Sequence, residues 1–219
     1  MSATLYHLML ESPDLKLLLE RAQARLEEEA QKRQAFYEWL TPEVKAEFIN
    51  GEVIMHSPAK NRHLWVGKRL LNLLDTWVIV NDLGEVQAEK AMIALTRNDY
   101  EPDICFWNLD KSKTIEPDTM RHPAPDLVVE VISPTTEHRD RGIKFVDYAA
   151  HGVSEYWIID PVAQTVETHQ LDPDFGAYKA IAKLGLSDSL RSQVVSGFEV
   201  PVKAIFDKKV YLETLKELL

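Results

Sequence analysis

Hydrophobic patterning predicts a mixed α/β (α+β) fold, a mixed β-sheet flanked by helices, and three observations carry the prediction. Asn50-Gly51 lies between two short apolar runs, the strongest short-range signal for a tight antiparallel hairpin. Stretches with 3.6-residue apolar spacing alternate with short β-branched runs, as in a sheet packed against helices. The run Leu127-Val128-Val129-Glu130-Val131-Ile132, bracketed by Pro125 and Pro134, reads as a buried central strand.

In chain order, Leu15, Leu18, Leu19, Ala22, Leu26 and Ala30 mark a helix from Asp14 to Leu40, with Asp14 as its N-cap. That helix is charged over most of its circumference, so it lies on the domain or pairs with a partner helix. Pro42 opens a break, and 46–55 form the hairpin. After Ser57-Pro58, residues Leu64, Val66, Leu70, Leu71, Leu74 and Val78 keep helical period until Asp82-Leu83-Gly84 ends it. Strands 85–95 and 100–107 follow, joined by Thr96-Arg97-Asn98-Asp99 as an antiparallel hairpin, and 108–123 is a polar connection. Beyond the central strand come a helix over 137–150 capped by Thr135 or Thr136, strand 155–160 with its hairpin partner 165–170, short strands near 178–182 and 194–200, and a last helix over 208–219.

The 219 residues suffice for one substantial core and fall short of two full domains. We therefore expect an N-terminal helical extension, 1–40, and one domain, 41–219. A formal net charge of −10 disfavours non-specific binding to phosphate backbones, although a local basic groove remains compatible with it. The single cysteine, Cys105, allows no internal disulfide and sits in an apolar strand as an inert thiol. No segment approaches the ~18 apolar residues of a membrane span, and residues 1–20 carry acids where a signal peptide would be apolar. The expectation is a cytoplasmic chain with no membrane contact.

Two acids break the apolar strands. Glu130 stands in the middle of the central strand and Asp103 just ahead of Ile104-Cys105-Phe106-Trp107. Burying an unpaired charge costs several kcal/mol, so each needs a cation, a proton or a strand end open to water. Two such acids on two core strands suggest a metal site. Lys144, on the helix entered after Glu130's strand, could bring an amine back over the strand end, completing a set suited to phosphodiester hydrolysis.

Pro102-Asp103, Glu130 within Pro-Asp-Leu-Val-Val-Glu-Val-Ile-Ser-Pro, then Asp140, Lys144, Tyr148 and Gly152 to Pro161 resemble the Uma-type putative restriction endonucleases of the PD-(D/E)XK superfamily. The hairpin Phe48 to Val53, Ser57-Pro58 and His63 resemble the same family, and the likeness covers roughly 45–200. It implies a restriction-endonuclease-like sheet and a Mg²⁺- or Mn²⁺-dependent endonuclease, with Asp103 and Glu130 as metal ligands and both catalytic. The superfamily's lysine position, two residues after the second acid, is Ile132 here. The resemblance makes Lys144 its relocated catalytic replacement. Glu52 or His63, with Glu52 preferred, would match a third site group contributed before the strands, and Asp126 either flanks the site or caps the turn after Pro125. Lys60, Arg62, Lys68, Arg69, Arg139 and Arg141 could contact a DNA backbone, or form a plain solvated face. A homodimer is expected by analogy. The competing reading, favoured by Ile132 and the acidic charge, is a non-catalytic interaction or dimerisation protein that retains the nuclease fold.

Overall fold

The structure, a computed structural model, describes residues 3–41 and 43–219; Pro42, read above as a break, lies outside them. Its contacts divide into two compact units, 1–56 and 57–219. The first of them takes in the 46–55 hairpin together with the helical stretch before it. The reason lies in the packing of the hairpin on the long helix before it.

The first unit contains α1 (Ala3–Leu10), α2 (Leu15–Trp39), β1 (Ala46–Ile49) and β2 (Glu52–Met55). The strands pair antiparallel, with Ile49 opposite Glu52, and Asn50 (φ 52°) and Gly51 (φ 85°) supply the two positive φ angles of a type I′ turn. Phe36 of α2 stacks on Phe48 of β1 at 5.6 Å, and Arg25 donates to the carbonyl of Asn50 at 3.3 Å. Gly51 backs onto Glu29 so closely that a Cβ would lie 2.9 Å from its Cγ. The expected cap Asp14 makes no side-chain capping bond.

The second unit begins with α3 (Asn61–Asn81). A six-stranded sheet follows, in the order β11 (Ala177–Leu184), β10 (Thr165–Asp172), β9 (Glu155–Asp160), β8 (Leu127–Val131), β6 (Ile104–Asn108) and β3 (Gly84–Ala88). Only β8 and β9 run parallel within it, so the sheet is mixed. One face packs Val86, Ile104, Phe106, Leu127, Val129, Val131, Trp157, Ile159 and Val166 against Leu70, Leu73, Leu74 and Val78 of α3. Strand alternation sends Asp103, Cys105, Val128, Glu130 and Tyr156 to the other face. Over that face the chain places α5 (Glu137–Asp140) and α6 (Ile143–Ala150), whose Lys144 and Tyr148 reach back to Glu130.

The expected hairpin 85–95/100–107 is two structures. Its first arm bends at Glu89 (φ 32°) and Lys90 (φ 59°) into β3 and β4 (Met92–Ala94), and its second bends at Glu101-Pro102-Asp103 into β5 (Asp99–Tyr100) and β6. Pro102 has no N–H for a continued ladder, so both arms change direction together. β4 pairs antiparallel with β5 and parallel with β7 (Arg121–His122), while β3 pairs with β6. The polar connection also holds α4 (Leu109–Ser112). The helix expected over 137–150 is broken at Gly142 (φ −111°, ψ −102°), where a Cβ would sit 2.5 Å from the His138 carbonyl oxygen. Thr136 takes the N-cap position of α5 but makes no side-chain capping bond. The strand expected at 194–200 is a pair, β12 (Ser189–Arg191) and β13 (Glu199–Pro201), and α7 (Val202–Phe206) precedes the last helix, α8 (Lys208–Glu217).

Candidate functional site

Glu130 and Asp103 meet because of register. Ile104 lies opposite Val129, Cys105 opposite Val128 and Phe106 opposite Leu127, so one further step sets Asp103 opposite Glu130 on the same sheet face. Directly opposed side chains in an antiparallel pair have Cβ atoms about 5 Å apart, and two like charges there repel. The surroundings answer that repulsion. Asp103 accepts from the Val131 amide on Oδ2 at 2.7 Å and from His63 Nε2 on Oδ1 at 3.1 Å. Glu130 Oε1 accepts from Lys144 Nζ at 2.9 Å and from the Tyr148 hydroxyl at 3.4 Å. Lys144 also lies 3.5 Å from Asp140 Oδ1, and its amine sits 5.7 Å from the centre of the Tyr100 ring.

Glu130, Asp140 and Lys144 are 4%, 2% and 2% exposed, so two buried carboxylates share one buried amine. Such an arrangement persists only where geometry is good and the remaining polar atoms are satisfied. The negative character extends to neutral neighbours. Burial pushes the Tyr156 phenol well above its usual range, and the charges of Glu130, Asp140 and Asp103 push it further. Cys105 is raised the same way, by burial and then by Glu130, so it is an inert thiol.

The Lys144 amine returns to Glu130 from the helix that follows Glu130's strand. Position 132, where a lysine was sought, holds a buried Ile132 whose amide donates to Ile159 in the sheet. His63 joins Asp103. Asp140 and Tyr148, part of the same sequence pattern and each four residues from Lys144, join the cluster: Asp140 lies 3.5 Å from the Lys144 amine and Tyr148 donates to Glu130.

Asp126 sits at the opposite end of β8, about 13 Å from Glu130 at 3.3 Å per residue. There it pairs with Lys111 at 2.9 Å and accepts the Asn108 amide at 2.8 Å, so it fastens a turn. Glu52 is exposed on β2 in the first unit. Of the six basic residues, Arg69 donates to the Phe206 carbonyl at the end of α7 at 2.6 Å, and Arg141 forms a two-pronged pair with Glu167 at 2.6 and 3.1 Å. Arg139 is half-buried, and its Nε has no hydrogen-bond partner among the described residues. Lys60, Arg62 and Lys68 are exposed at the start of α3.

Among the described residues, no group of three or more His, Cys, Asp and Glu side chains is placed to hold a metal ion. Asp103 and Glu130 supply a smaller oxygen set. Mg²⁺ commonly takes one or two carboxylates and completes its shell with water and substrate phosphate, so the donor chemistry fits that ion.

A family model described as "Uma2: Putative restriction endonuclease" matches residues 33–203. The chain belongs to the Uma2 family. The match starts near the end of α2 and ends in α7, leaving α1, residues 15–32 of α2 and α8 outside the Uma2 region. Among solved structures, the chain resembles a putative nuclease of the DUF820 family from Anabaena variabilis. TM-score is 0.66 and identity 17%, over 80% of this chain and 96% of that one. At that identity the likeness is one of fold, a nuclease-like mixed sheet flanked by helices. Comparison with curated proteins finds no match. No helix among the described residues is long and apolar enough to cross a membrane.

Proposed function

We propose that this Uma2 chain is a metal-dependent nuclease that hydrolyses phosphodiester bonds of DNA, with Asp103 and Glu130 holding Mg²⁺ or Mn²⁺. The observation that carries the reading is the opposition of those two carboxylates on one sheet face, with the buried Lys144 amine 2.9 Å from Glu130. Membership of a family described as restriction endonucleases supports it. The ion would supply Lewis-acid polarisation of the scissile phosphate. The chain's own groups do the rest. His63 and the Val131 amide fix the Asp103 carboxylate, and each bonded oxygen keeps a second lone pair for a ligand. Tyr148 and Lys144 fix Glu130 in the same way. A protonated Lys144, 2% exposed, would set its charge where little water screens it, available to the negative charge that builds on phosphate in the transition state. Lys60, Arg62 and Lys68 offer contacts to the nucleic-acid backbone that would weaken with salt.

One set of observations favours the second reading, a non-catalytic protein with a retained nuclease fold. Both Asp103 oxygens and Glu130 Oε1 already accept hydrogen bonds, as expected of a structural ion-pair cluster. Calorimetry with Mg²⁺ and Mn²⁺ on wild type and Glu130→Gln, with supercoiled plasmid nicking on the same preparations, separates the two. The nuclease reading expects wild type to bind metal and nick, and the variant to lose about 100-fold or more of its nicking rate. Metal binding without nicking supports the second reading. No metal binding, with or without DNA present, overturns the metal site.

A further inference from the structure

We propose that the first half of α2 is a docking surface for a second copy of this chain, paired antiparallel through Leu15, Leu19, Ala22 and Leu26. The inference rests on α2 alone and is independent of the proposed nuclease activity.

A stripe runs along α2 through Leu15, Leu19, Ala22, Leu26, Glu29, Arg33 and Phe36, alternating steps of four and three residues. Its second half is covered within the same unit: Glu29 and Phe36 are the buried residues of the helix and pack on Gly51 and Phe48. Its first half is bare. Residues 16–28 are all exposed, with Leu18, Leu19 and Leu26 at 42%, 53% and 51%. Isolated helices of this length are marginal in water, and most helix stability comes from packing an apolar face. Three exposed leucines on one stretch of helix, continuous with a docked stripe, call for a cover.

The hairpin decides which occupant fits and in which direction. In a parallel pairing, residues 29–36 of the two copies would run side by side, where each stripe is already covered by its own hairpin. An antiparallel pairing centred between Glu20 and Arg21 avoids that clash. It sets Leu15 against Leu26 of the second copy, Leu19 against its Ala22, and the reciprocal pairs by two-fold symmetry, with each hairpin beyond the other helix's N-terminal end. No like charges meet along the seam: Lys16 and Arg25 fall on opposite flanks of the stripe, and the two-fold axis sets Lys16 beside Gln23 of the second copy and Arg25 beside its Leu18. The contact spans roughly 18 Å of helix at 1.5 Å per residue. It is short of a standard interface, so the dimer should be weak and concentration-dependent.

The test is sedimentation velocity on the full chain from low concentration up to on the order of 100 µM. Wild type should shift from monomer to dimer across that range, and Leu19→Glu/Leu26→Glu should weaken the dimer at least tenfold with unchanged circular dichroism. Orientation is read by oxidation: Leu15→Cys mixed with Leu26→Cys should cross-link faster than either alone, the native Cys105 being buried. A wild type that stays monomeric at the highest concentration overturns the proposal. So does a dimer that survives the double glutamate variant, or Leu15→Cys cross-linking to itself faster than to Leu26→Cys, which would mean a parallel pair.

Discussion

The Lys144 amine lies in a place almost without water, between the carboxylates of Glu130 and Asp140. Removing the amine alone leaves Glu130 and Asp140 buried without their shared cation, whereas neutralising Glu130 as well removes part of the demand. Lys144→Met should therefore lose about 3–5 kcal/mol of stability, and Glu130→Gln/Lys144→Met clearly less. Guanidinium unfolding of the two variants reads the difference; equal losses would mean that the pair is not coupled. The same cluster explains why a candidate site is legible at Glu130, an acid amid β-branched residues, and much less so at Lys144, whose spacing on a helix also suits an ordinary solvated residue.

Elements of the second unit are tied by polar groups as much as by apolar contact. Glu155, the first residue of β9, is 2% exposed; it accepts the Trp157 indole on Oε1 at 2.8 Å and, on Oε2, the Ser192 hydroxyl at 2.7 Å and the Gln193 and Val194 amides at 2.9 and 3.3 Å. Burial pushes its carboxyl above the usual range while those four donors pull it down. One carboxylate thus fastens the segment between β12 and β13 to the central sheet. Glu155→Ala should cost on the order of 3 kcal/mol, because buried donors lose their acceptor. Hydrogen exchange should show faster exchange at residues 193–194; unchanged protection there would refute the fastening role. The double bend at Glu89-Lys90 and Pro102 works at this scale too, since it ends β6 next to Asp103 and leaves that carboxylate only half-buried.

At the scale of the whole second unit, Arg141 joins three elements. It pairs with Glu137 of α5 at 2.8 Å and with Glu167 of β10, which also meets Lys183 of β11 at 3.0 Å. The Arg141 hydrogen bond holds the Glu167 carboxyl down, to about 2. A folded value below the unfolded one stabilises the fold above the ordinary carboxylate range of about 4.3, and that contribution is lost as pH falls toward 2. Glu167→Gln should thus lower stability at pH 7, by no more than about 1 kcal/mol because solvent screens the group, and the gap should close toward pH 3. Urea unfolding across that range checks it; a gap that widens in acid contradicts the assignment. For Arg141 this network replaces the DNA contact considered from sequence, because its fork is already occupied.

Local chemistry carried much of this in the sequence by itself. The type I′ turn at Asn50-Gly51, the periodic stripes of α2 and α3, the apolar central strand and its misplaced acid are all properties of neighbouring residues, readable without a third dimension. Tertiary structure decided what depends on distant partners. Asp103 faces Glu130 through strand register, Lys144 returns to Glu130 from the helix that follows its strand, and Asp126 is taken by Lys111. The covering of one half of the α2 stripe and not the other depends likewise on where the hairpin lands. A side chain's period along its own element follows from backbone geometry, but its partner is set by long-range packing, which no local pattern encodes.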